Sequence, residues 1–346
     1  MKGQDMVSFV IPTLNSEKTL GECLDAILAQ DFPRSGYEIV IADAGSSDAT
    51  LEIAKAKGVD TICANPLKTG EAGKAAGIEA AKGDLIALVD SDNILPDRDW
   101  LRRMTEPFAD EEVFASEPIS YSARPTDPSL TRYFAYLGMN DPVCLFVGNY
   151  DRTSAVTGRW TGLDVPTEDH GGYLKLRLSD QFPTIGANGF VFRRRILERV
   201  AWRPYFFDID VAAEASVKGC GAIAKVKTSI IHLYCAKFGD FTRKQRRRIR
   251  DFLFFSKTKE RTYPWSAQRK GGIALFVLSA VTVLPLLVQA ALFAIRAPRG
   301  AKRLALWHLP VVYATLFVYS LGVLLKLVGV KPAMADRSGW QAAGGR

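Results

Sequence analysis

Three groups of polar residues follow short apolar runs in the first hundred residues. They are Pro12, Thr13 and Asn15; Asp43, Gly45 and Ser46; and Asp90, Ser91, Asp92 and Asn93. Asp90 and Asp92 are separated by one residue, so in an extended backbone their carboxylates leave the same side of the chain and can share one hard divalent cation. A cation held in this way keeps coordination positions for phosphate oxygens. The alternative for this triplet is a solvated turn or a helix cap.

Asp43 lies in "DAGSSDAT", where it either forms part of a turn before a helix or accepts a hydrogen bond from a nucleobase N–H. Lys74 lies in "KTGEAGKAAG", where it either balances the charge of a diphosphate or is an ordinary solvated helix lysine. This segment is not a P-loop, because Ala75 replaces the required Ser or Thr. No GxGxxG follows a predicted strand, which excludes a dinucleotide-binding motif.

The elements that must position these residues alternate between short β-branched runs and helical stretches. Predicted strands cover Val7–Pro12, Glu38–Asp43, Thr61–Cys63 and Leu85–Asp90, with crossover helices between them and Ser16 and Ser47 or Asp48 as caps. This order predicts an α/β fold with a mostly parallel sheet. In such a sheet ligands bind at the carboxyl ends of the strands, where all three polar groups fall.

Residues 119–183 show weak periodicity and are predicted to be loops over a site, with a helix near Ser129–Leu137. Regular structure is expected again at "TIGANGFVFRRRILERV", followed by a helix in "FDIDVAAEASVKG". Two strand-like runs, "GAIAKV" and "SIIHLY", come next. The five cysteines include no CxxC pair and are interpreted as reduced.

The apolar residues of the 346-residue chain are concentrated near its end. Gly271–Ile295 and Leu304–Leu325 are 25 and 22 residues long, and each is long enough to cross a bilayer as a helix. Nine basic residues outside the pair, against four in the loop between them, predict a hairpin with both ends in the cytosol. The first 15 residues contain no signal-peptide core, so the preceding domain is expected to stay on the cytoplasmic face.

The formal net charge of +8 is concentrated just before the first apolar segment. The run "RKQRRRIR" at Arg243–Arg250 is followed by Lys257, Lys259, Arg261, Arg269 and Lys270. Basic residues next to a membrane segment are typical of binding to anionic lipid headgroups. We therefore expect membrane lipids, and no nucleic acid, as a partner.

Five motifs follow one another along the chain: "VSFVIPTLN", "IADAGSSDAT", "GKAAGIEAAKGDLIALVDSDN", "TIGANGFVFRR" and "FDIDVAAEASVKGCGAIAKV". In this order they resemble the inverting family 2 glycosyltransferases with the GT-A fold. The resemblance covers about residues 6–235 and implies a nucleotide-diphosphate sugar donor, such as a UDP- or GDP-sugar. It implies that Pro12, Thr13, Asn15 and Asp43 surround the nucleoside, and that Asp90 and Asp92 hold Mg²⁺ or Mn²⁺ at the diphosphate. Ser91 and Lys74 are further candidates for binding the donor.

The resemblance also implies a catalytic base near the start of the helix after "GANGF". Asp208 fits that position, whereas "TED" at Thr167–Asp169 precedes the motif and is interpreted as a decoy. Asp210 is expected to face the helix N-terminus. His232 ends "SIIHLY" and is a third candidate metal ligand, with a structural role as the alternative.

Gln245 and Arg248 stand where processive synthases carry Q-x-x-R-W, but Ile249 replaces the tryptophan. These two residues are either acceptor contacts or a basic helix face at the membrane. The replacement and the two predicted spans argue against a polymer-extruding synthase.

The predicted organisation is a GT-A domain over 1–240, a basic amphipathic interfacial segment over 241–270, a transmembrane hairpin over 271–328 and a cytosolic tail over 329–346. The predicted reaction is inverting, metal-dependent transfer of a sugar to a hydroxyl of a lipid-linked or membrane-near acceptor. A polyprenyl phosphate acceptor, a nucleotidyltransferase and an inactive membrane scaffold are the alternatives.

Overall fold

Ten strands form one mixed sheet within the residues that the structure describes. The computed structural model of the chain describes residues 5–258, 262–264 and 271–330. The strands are β1 (Val7–Thr13), β2 (Tyr37–Asp43), β3 (Thr61–Ala64), β4 (Leu85–Leu88), β5 (Asn93–Ile94), β6 (Val113–Ser122), β7 (Thr167–Asp169), β8 (Tyr173–Leu176), β9 (Phe190–Arg193) and β10 (Ala222–His232).

The order across the sheet is β3-β2-β1-β4-β9-β6-β10-β8-β7, with β5 paired to β10. β3, β2, β1 and β4 are mutually parallel, whereas β9 is antiparallel to both β4 and β6. The prediction of an α/β fold with a largely parallel sheet is confirmed for the first four strands, and β7 to β9 make the whole sheet mixed. The two predicted runs near the end of the domain form the single strand β10.

Helices cover both faces of the sheet. They are α1 (Leu20–Leu28), α2 (Thr50–Ala56), α3 (Gly70–Ala80), α4 (Trp100–Thr105), α5 (Ser129–Leu137), α6 (Val143–Val147) and α7 (Asp208–Val217). One apolar core lies between the sheet and α1 and α4, and a second lies between the sheet and α3 and α7. A third apolar cluster joins α5 and α6 to the C-terminal helices. The helix predicted at Ser129–Leu137 has those same bounds in the structure.

The remaining helices are α8 (Phe238–Thr258), α9 (Gly272–Thr282), α10 (Leu284–Arg296) and α11 (His308–Leu327), with a 3-10 segment at Arg299–Trp307. The helix over Arg299–Leu327 is long and apolar enough to cross a membrane. The other predicted span is divided into α9 and α10, which are bent by 95° at Val283. The two-span hairpin is therefore not confirmed.

Parts of the predicted interfacial segment and tail lie outside the described residues. They include Lys259, Arg261, Arg269 and Lys270, as well as 331–346. Within the described part, α8 is an amphipathic helix whose buried residues include Phe241, Gln245 and Ile249.

Candidate active site

The carboxyl ends of β1, β2 and β4 meet at one edge of the sheet and bring the predicted polar groups together. β1 and β2 are in register, so that Thr13 is the partner of Asp43. The Thr13 hydroxyl donates a hydrogen bond of 2.9 Å to Asp43 Oδ1. Asn15 has a positive φ of 50°, and its Oδ1 accepts a hydrogen bond of 2.9 Å from the Ser47 N–H. The carboxyl ends of these strands therefore lie side by side, as their order in the sequence predicts.

Asp43 forms part of the turn after β2, which is one of the two roles that the sequence left open. Its Oδ1 also accepts from the Ser46 hydroxyl at 2.6 Å, while Oδ2 accepts the N–H groups of Gly45 and Ser46 at 2.8 and 2.9 Å. With Thr13, these bonds occupy the acceptor positions of the carboxylate. Asp43 thus organises the loop after β2, and in this state it has little capacity left for a nucleobase.

A cavity of about 390 Å³ lies beside this loop, lined by residues of 43–45 and 62–68. Asn65 lines it, and its buried Oδ1 has no hydrogen-bond partner among the described residues, while its Nδ2 donates to the Thr69 carbonyl at 2.8 Å. An unpaired buried acceptor is costly unless a ligand satisfies it. The sequence did not indicate Asn65. A larger cavity of about 870 Å³ includes Asp5 and Asp84 and lies at the amino ends of the strands, away from this edge.

Pro12 and Ser91 have packing roles at the same edge. A Cβ atom on Gly73 would lie 2.8 Å from the Pro12 Cβ, so the glycine permits α3 to approach β1. The Ser91 hydroxyl donates to the Ser16 hydroxyl at 3.0 Å. These contacts join β1, α3 and the loop after β4.

Asp90 and Asp92 lie in a turn, and the extended geometry assumed from the sequence is wrong. β4 ends at Leu88, and the Asn93 N–H donates to the Asp90 carbonyl at 2.9 Å. The two carboxylates therefore have different neighbours. Asp90 faces Lys74, with 3.6 Å between Oδ1 and Nζ, and Asp92 faces His232, with 3.5 Å between Oδ2 and Nε2.

Burial acts to raise the pKa of Asp92, but His232, Lys244 and a backbone hydrogen bond together lower it, and the net pKa lies below its usual value. Two hard carboxylates and an imidazole are ligands that suit Mg²⁺ or Mn²⁺. Among the described residues, however, no three His, Cys, Asp or Glu side chains converge into a complete metal site. Asp90, Asp92 and His232 thus remain candidate ligands, and an ion held by them would keep further coordination positions open.

Lys74 is buried and lies between Asp90 and Asp208. Its Nζ lies 2.5 Å from Asp208 Oδ2 as well as 3.6 Å from Asp90 Oδ1. Burial opposes its charge, but Asp208 and Asp90 together hold the pKa of Lys74 well above its usual range. The solvated-lysine alternative is therefore wrong, and Lys74 stays cationic at this edge.

Asp208 is the first residue of α7, and only one of its oxygens is paired. Oδ1 is buried and has no hydrogen-bond partner in the described part of the chain. Burial raises the pKa of Asp208 to about 7, and Lys74 opposes that shift. A carboxylate with a pKa near neutrality and a free oxygen can accept a proton from a substrate.

The "GANGF" loop packs directly against the backbone of Asp208. Gly186 has a φ of 137°, and a Cβ atom there would lie 2.5 Å from the Asp208 carbonyl oxygen.

The other acidic residues near this motif have different contacts. Asp210 accepts the N–H groups of Thr262 and Tyr263 at 2.6 and 2.8 Å, so it holds the segment after α8 rather than facing only its own helix end. "TED" forms edge strand β7, where Asp169 pairs with Lys227 at 2.7 Å.

A buried charged cluster, formed by Glu117, Asp151, Arg152 and Lys225, was missed by the sequence analysis. Glu117 Oε2 lies 2.7 Å from Arg152 Nη1 and 2.6 Å from Lys225 Nζ. Its other oxygen accepts the Gly186 N–H at 2.9 Å, and Arg152 donates to the Ala187 carbonyl at 2.8 Å. The cluster thereby fixes the "GANGF" loop. No local motif indicates it, because Glu117 and Lys225 lie far along the chain from the adjacent Asp151 and Arg152.

Gln245 and Arg248 are not a solvated basic face. Both donate to the Asn140 carbonyl, at 3.2 and 3.1 Å, and Arg248 donates to Gln245 Oε1 at 2.9 Å. The Asn140 side chain lies 3.4 Å from His232 Nδ1. A continuous set of polar contacts therefore runs from α8 to the candidate metal ligands.

Comparisons with known proteins agree with this architecture. The family described as "Glycosyl transferase family 2" matches residues 8–200, which is more than half of the chain. The sequence is 32% identical over 102 residues to glycosyltransferase AglE of Haloferax volcanii, covering 28% of this chain and 33% of that protein.

A second relative is a dolichyl N-acetyl-alpha-D-glucosaminyl phosphate 3-beta-D-2,3-diacetamido-2,3-dideoxy-beta-D-glucuronosyltransferase of Methanococcus voltae. It is 32% identical over 120 residues, covering 33% of this chain and 36% of the relative. The chain thus spans about a third of the length of these curated relatives. The mannosyltransferase PcManGT of Pyrobaculum calidifontis, solved with GDP-Man and Mn²⁺, has a similar fold, with a TM-score of 0.51, 18% identity and coverage of 99% of this chain and 85% of that one.

Proposed function

The chain belongs to glycosyl transferase family 2. From this premise we propose that it transfers a sugar from a nucleoside-diphosphate sugar to a hydroxyl group. The acceptor is lipid-linked or membrane-near, and the transfer inverts the anomeric carbon. The observation that carries this proposal is the Asp90–Lys74–Asp208 arrangement, which places a candidate metal ligand and a candidate base on either side of one buried cation.

The nucleoside is proposed to occupy the cavity beside the loop after β2. Asn65 Oδ1 offers an acceptor for a base or ribose N–H or O–H, and Thr13, Asn15 and Asp43 fix the loop that borders it. A UDP- or GDP-sugar fits this assignment equally well. Binding would relieve the desolvation of the unpaired Asn65 oxygen.

Asp90 and Asp92 would hold Mg²⁺ or Mn²⁺, with His232 beside Asp92. When bound, such an ion neutralises charge on the departing diphosphate. Lys74 contributes a fixed positive charge at the same edge, and because it is buried its position does not depend on the solvent.

Asp208 is proposed to accept the proton of the attacking hydroxyl through its unpaired Oδ1. The acceptor oxygen forms a bond to the anomeric carbon as the bond to the diphosphate oxygen breaks, and a single displacement of this kind inverts the configuration. A polyprenyl phosphate acceptor is already anionic and has no proton to lose. The raised pKa of Asp208 therefore favours the hydroxyl acceptor.

The C-terminal apolar helices would hold this site at the cytoplasmic face of a membrane, where a lipid-linked acceptor is found. In support, the Methanococcus voltae relative carries a dolichyl phosphate substrate in its name. The apolar side chains exposed on these helices are also the surface that a bilayer would cover.

The test uses the full chain with a panel of UDP- and GDP-sugars, Mn²⁺ and a membrane lipid extract. Release of nucleoside diphosphate together with a glycosylated lipid is expected, and EDTA should abolish both. Release of pyrophosphate would indicate a nucleotidyltransferase, and the absence of any turnover across the panel would favour an inactive scaffold.

A further inference from the structure

The segment between the two apolar stretches lies on the surface of the catalytic domain. The Gly300 carbonyl accepts a hydrogen bond of 2.9 Å from Arg132 Nη2, and Trp307 Nε1 donates to the Ser129 hydroxyl at 3.2 Å. Arg296 also donates to the Val156 carbonyl. Since α5 and Val156 belong to the catalytic domain, residues 296–307 are on the same side of a membrane as that domain.

The helix pair before this segment begins and ends on the catalytic domain. At its start, a Cβ atom on Gly272 would lie 2.7 Å from the Val147 Cα, and at its end Arg296 bonds Val156. α9 and α10 have 11 and 13 residues, which gives lengths of about 16 and 20 Å. With a bend of 95°, neither leg can cross a hydrocarbon core of about 30 Å.

α11 also stays beside the catalytic domain over most of its length. Its first residue, His308, lies 2.9 Å from the Tyr133 hydroxyl. Eleven residues later, about 16 Å along the helix, the Tyr319 hydroxyl donates to Asp141 and to Gln245 Oε1. If α11 crossed the bilayer from His308, Tyr319 would lie near the midplane, and charged Asp141 and Arg248 would be drawn in at a high cost.

The exposed faces of these helices carry the two kinds of side chain that one leaflet accommodates. The exposed face of α8 carries arginines, at Arg243, Arg246, Arg247 and Arg250. The exposed faces of the other helices are apolar, with Val281, Leu284, Leu287, Ile295, Phe317, Leu321 and Leu324 each 40% or more exposed. Arginines suit anionic headgroups, and the apolar side chains suit the acyl region beneath them.

We infer that residues 271–330 form a monotopic anchor inserted into one anionic leaflet, with α9 and α10 as a re-entrant pair and α11 lying in the plane of the membrane. No part of 271–330 then reaches the opposite side. The basic residues Arg296, Arg299, Lys302 and Arg303 face the cytosol, which removes the conflict between an exported loop and its high positive charge.

The test is the accessibility of single added cysteines in sealed membrane vesicles of both orientations, read with a membrane-impermeant maleimide that shifts the protein on a gel. Lys302→Cys reports the return segment, Val330→Cys reports the end of α11, and Glu168→Cys marks the catalytic-domain side. The shift of the unsubstituted chain, with its five native cysteines, is subtracted, and detergent-opened vesicles show that each site reacts.

All three cysteines are expected to react from the same side. Reaction of Lys302→Cys from the opposite side would restore the two-span hairpin, and reaction of Val330→Cys alone from that side would make α11 a span, so either result overturns the inference. Trypsin added from the catalytic-domain side, with cleavage after Lys302 or Arg303 read by mass spectrometry, repeats the test without substitutions. Protection there, with cleavage from the other side, would also overturn it.

Discussion

The individual side chains at the sheet edge separate metal binding from proton transfer. Asp90→Asn or Asp92→Asn should abolish metal-dependent turnover, because each change removes a charge that would bind the ion. The fold should be unaffected, since both side chains are partly exposed and neither belongs to the apolar core. The measurements are turnover across a Mn²⁺ titration and the circular dichroism spectrum. Wild-type activity that survives in EDTA would rule out this role.

Asp208→Asn should lower the rate of transfer to a hydroxyl acceptor by about 10²- to 10⁴-fold, because an amide cannot accept the proton. Donor binding should be unchanged, which is measured as the Kd for the nucleotide sugar. Near-normal transfer at saturating donor would remove Asp208 from the mechanism and favour a polyprenyl phosphate acceptor.

The pH dependence follows from the raised pKa of Asp208. A base must be deprotonated, so transfer at saturating Mn²⁺ should fall as the pH drops through about 7. Lys74→Met removes the cation that opposes the shift, and it should move the midpoint of this profile to higher pH. A profile whose midpoint is the same in Lys74→Met and in the wild type would contradict the pairing.

The raised pKa of Asp208 also makes the stability of the fold depend on pH. Stability decreases as the pH rises, whereas the transfer rate increases. Between about pH 4 and pH 7 the folded state keeps a proton on Asp208 that the unfolded state has lost, so the contribution of this group to stability decreases as the pH rises through that window. Asp208→Asn should therefore lose less stability than the wild type between pH 5 and 8. Urea denaturation at both pH values measures the difference, and parallel losses would argue against a raised pKa.

At the level of the elements, the buried charged cluster stabilises the conformation of the "GANGF" loop through hydrogen bonds to its backbone. Glu117→Ala would leave buried Arg152 and Lys225 with Asp151 as their remaining carboxylate, and breaking a buried ion pair costs about 3–5 kcal/mol. The free energy of unfolding from urea titration measures this effect. The matched control, Glu168→Ala on exposed strand β7, should change it by less than about 0.5 kcal/mol. Equal effects would show that the cluster is not a stabilising unit.

Local sequence signals account for the elements that were predicted well. β1, β2 and β4 are continuous apolar runs that end in polar residues, and these patterns located both the strands and the sheet edge. The sequence could not locate the partners of Lys74, since Asp208 lies 134 residues away along the chain. No motif indicated Asn65, whose unpaired Oδ1 is visible only in the folded chain. For Asp90 and Asp92 the turn was already the alternative, and the hydrogen bond from the Asn93 N–H to the Asp90 carbonyl decides in its favour.

At the scale of the whole molecule, hydrophobicity predicted two membrane spans, of which the structure has one helix long and apolar enough to cross a bilayer. The periodicity of Gly271–Ile295 does not reveal the bend at Val283, nor that both ends of the pair return to the catalytic domain. Segment length and the count of flanking basic residues therefore predicted a hairpin, and tertiary contacts were needed to show that residues 296–307 stay beside α5.

Leu284→Asp should weaken binding of the full chain to anionic vesicles by about tenfold or more, because the side chain is 66% exposed at the bend and would enter the acyl region. Val217→Asp is the matched control, since Val217 is 69% exposed on α7 of the catalytic domain. Vesicle cosedimentation measures both variants, and equal binding of the two would contradict a membrane contact at the bend.

A single displacement at the anomeric carbon of a nucleotide sugar is the step from which the proposed roles of the metal ligands and Asp208 follow. The most direct test is the anomeric configuration of the glycosylated product, determined by NMR from the coupling at C1 after reaction with a donor of known configuration. The wild type is expected to form a product with the configuration opposite to that of the donor, and Asp208→Asn is expected to form it about 10²- to 10⁴-fold more slowly. A product that retains the donor's configuration would contradict a single displacement.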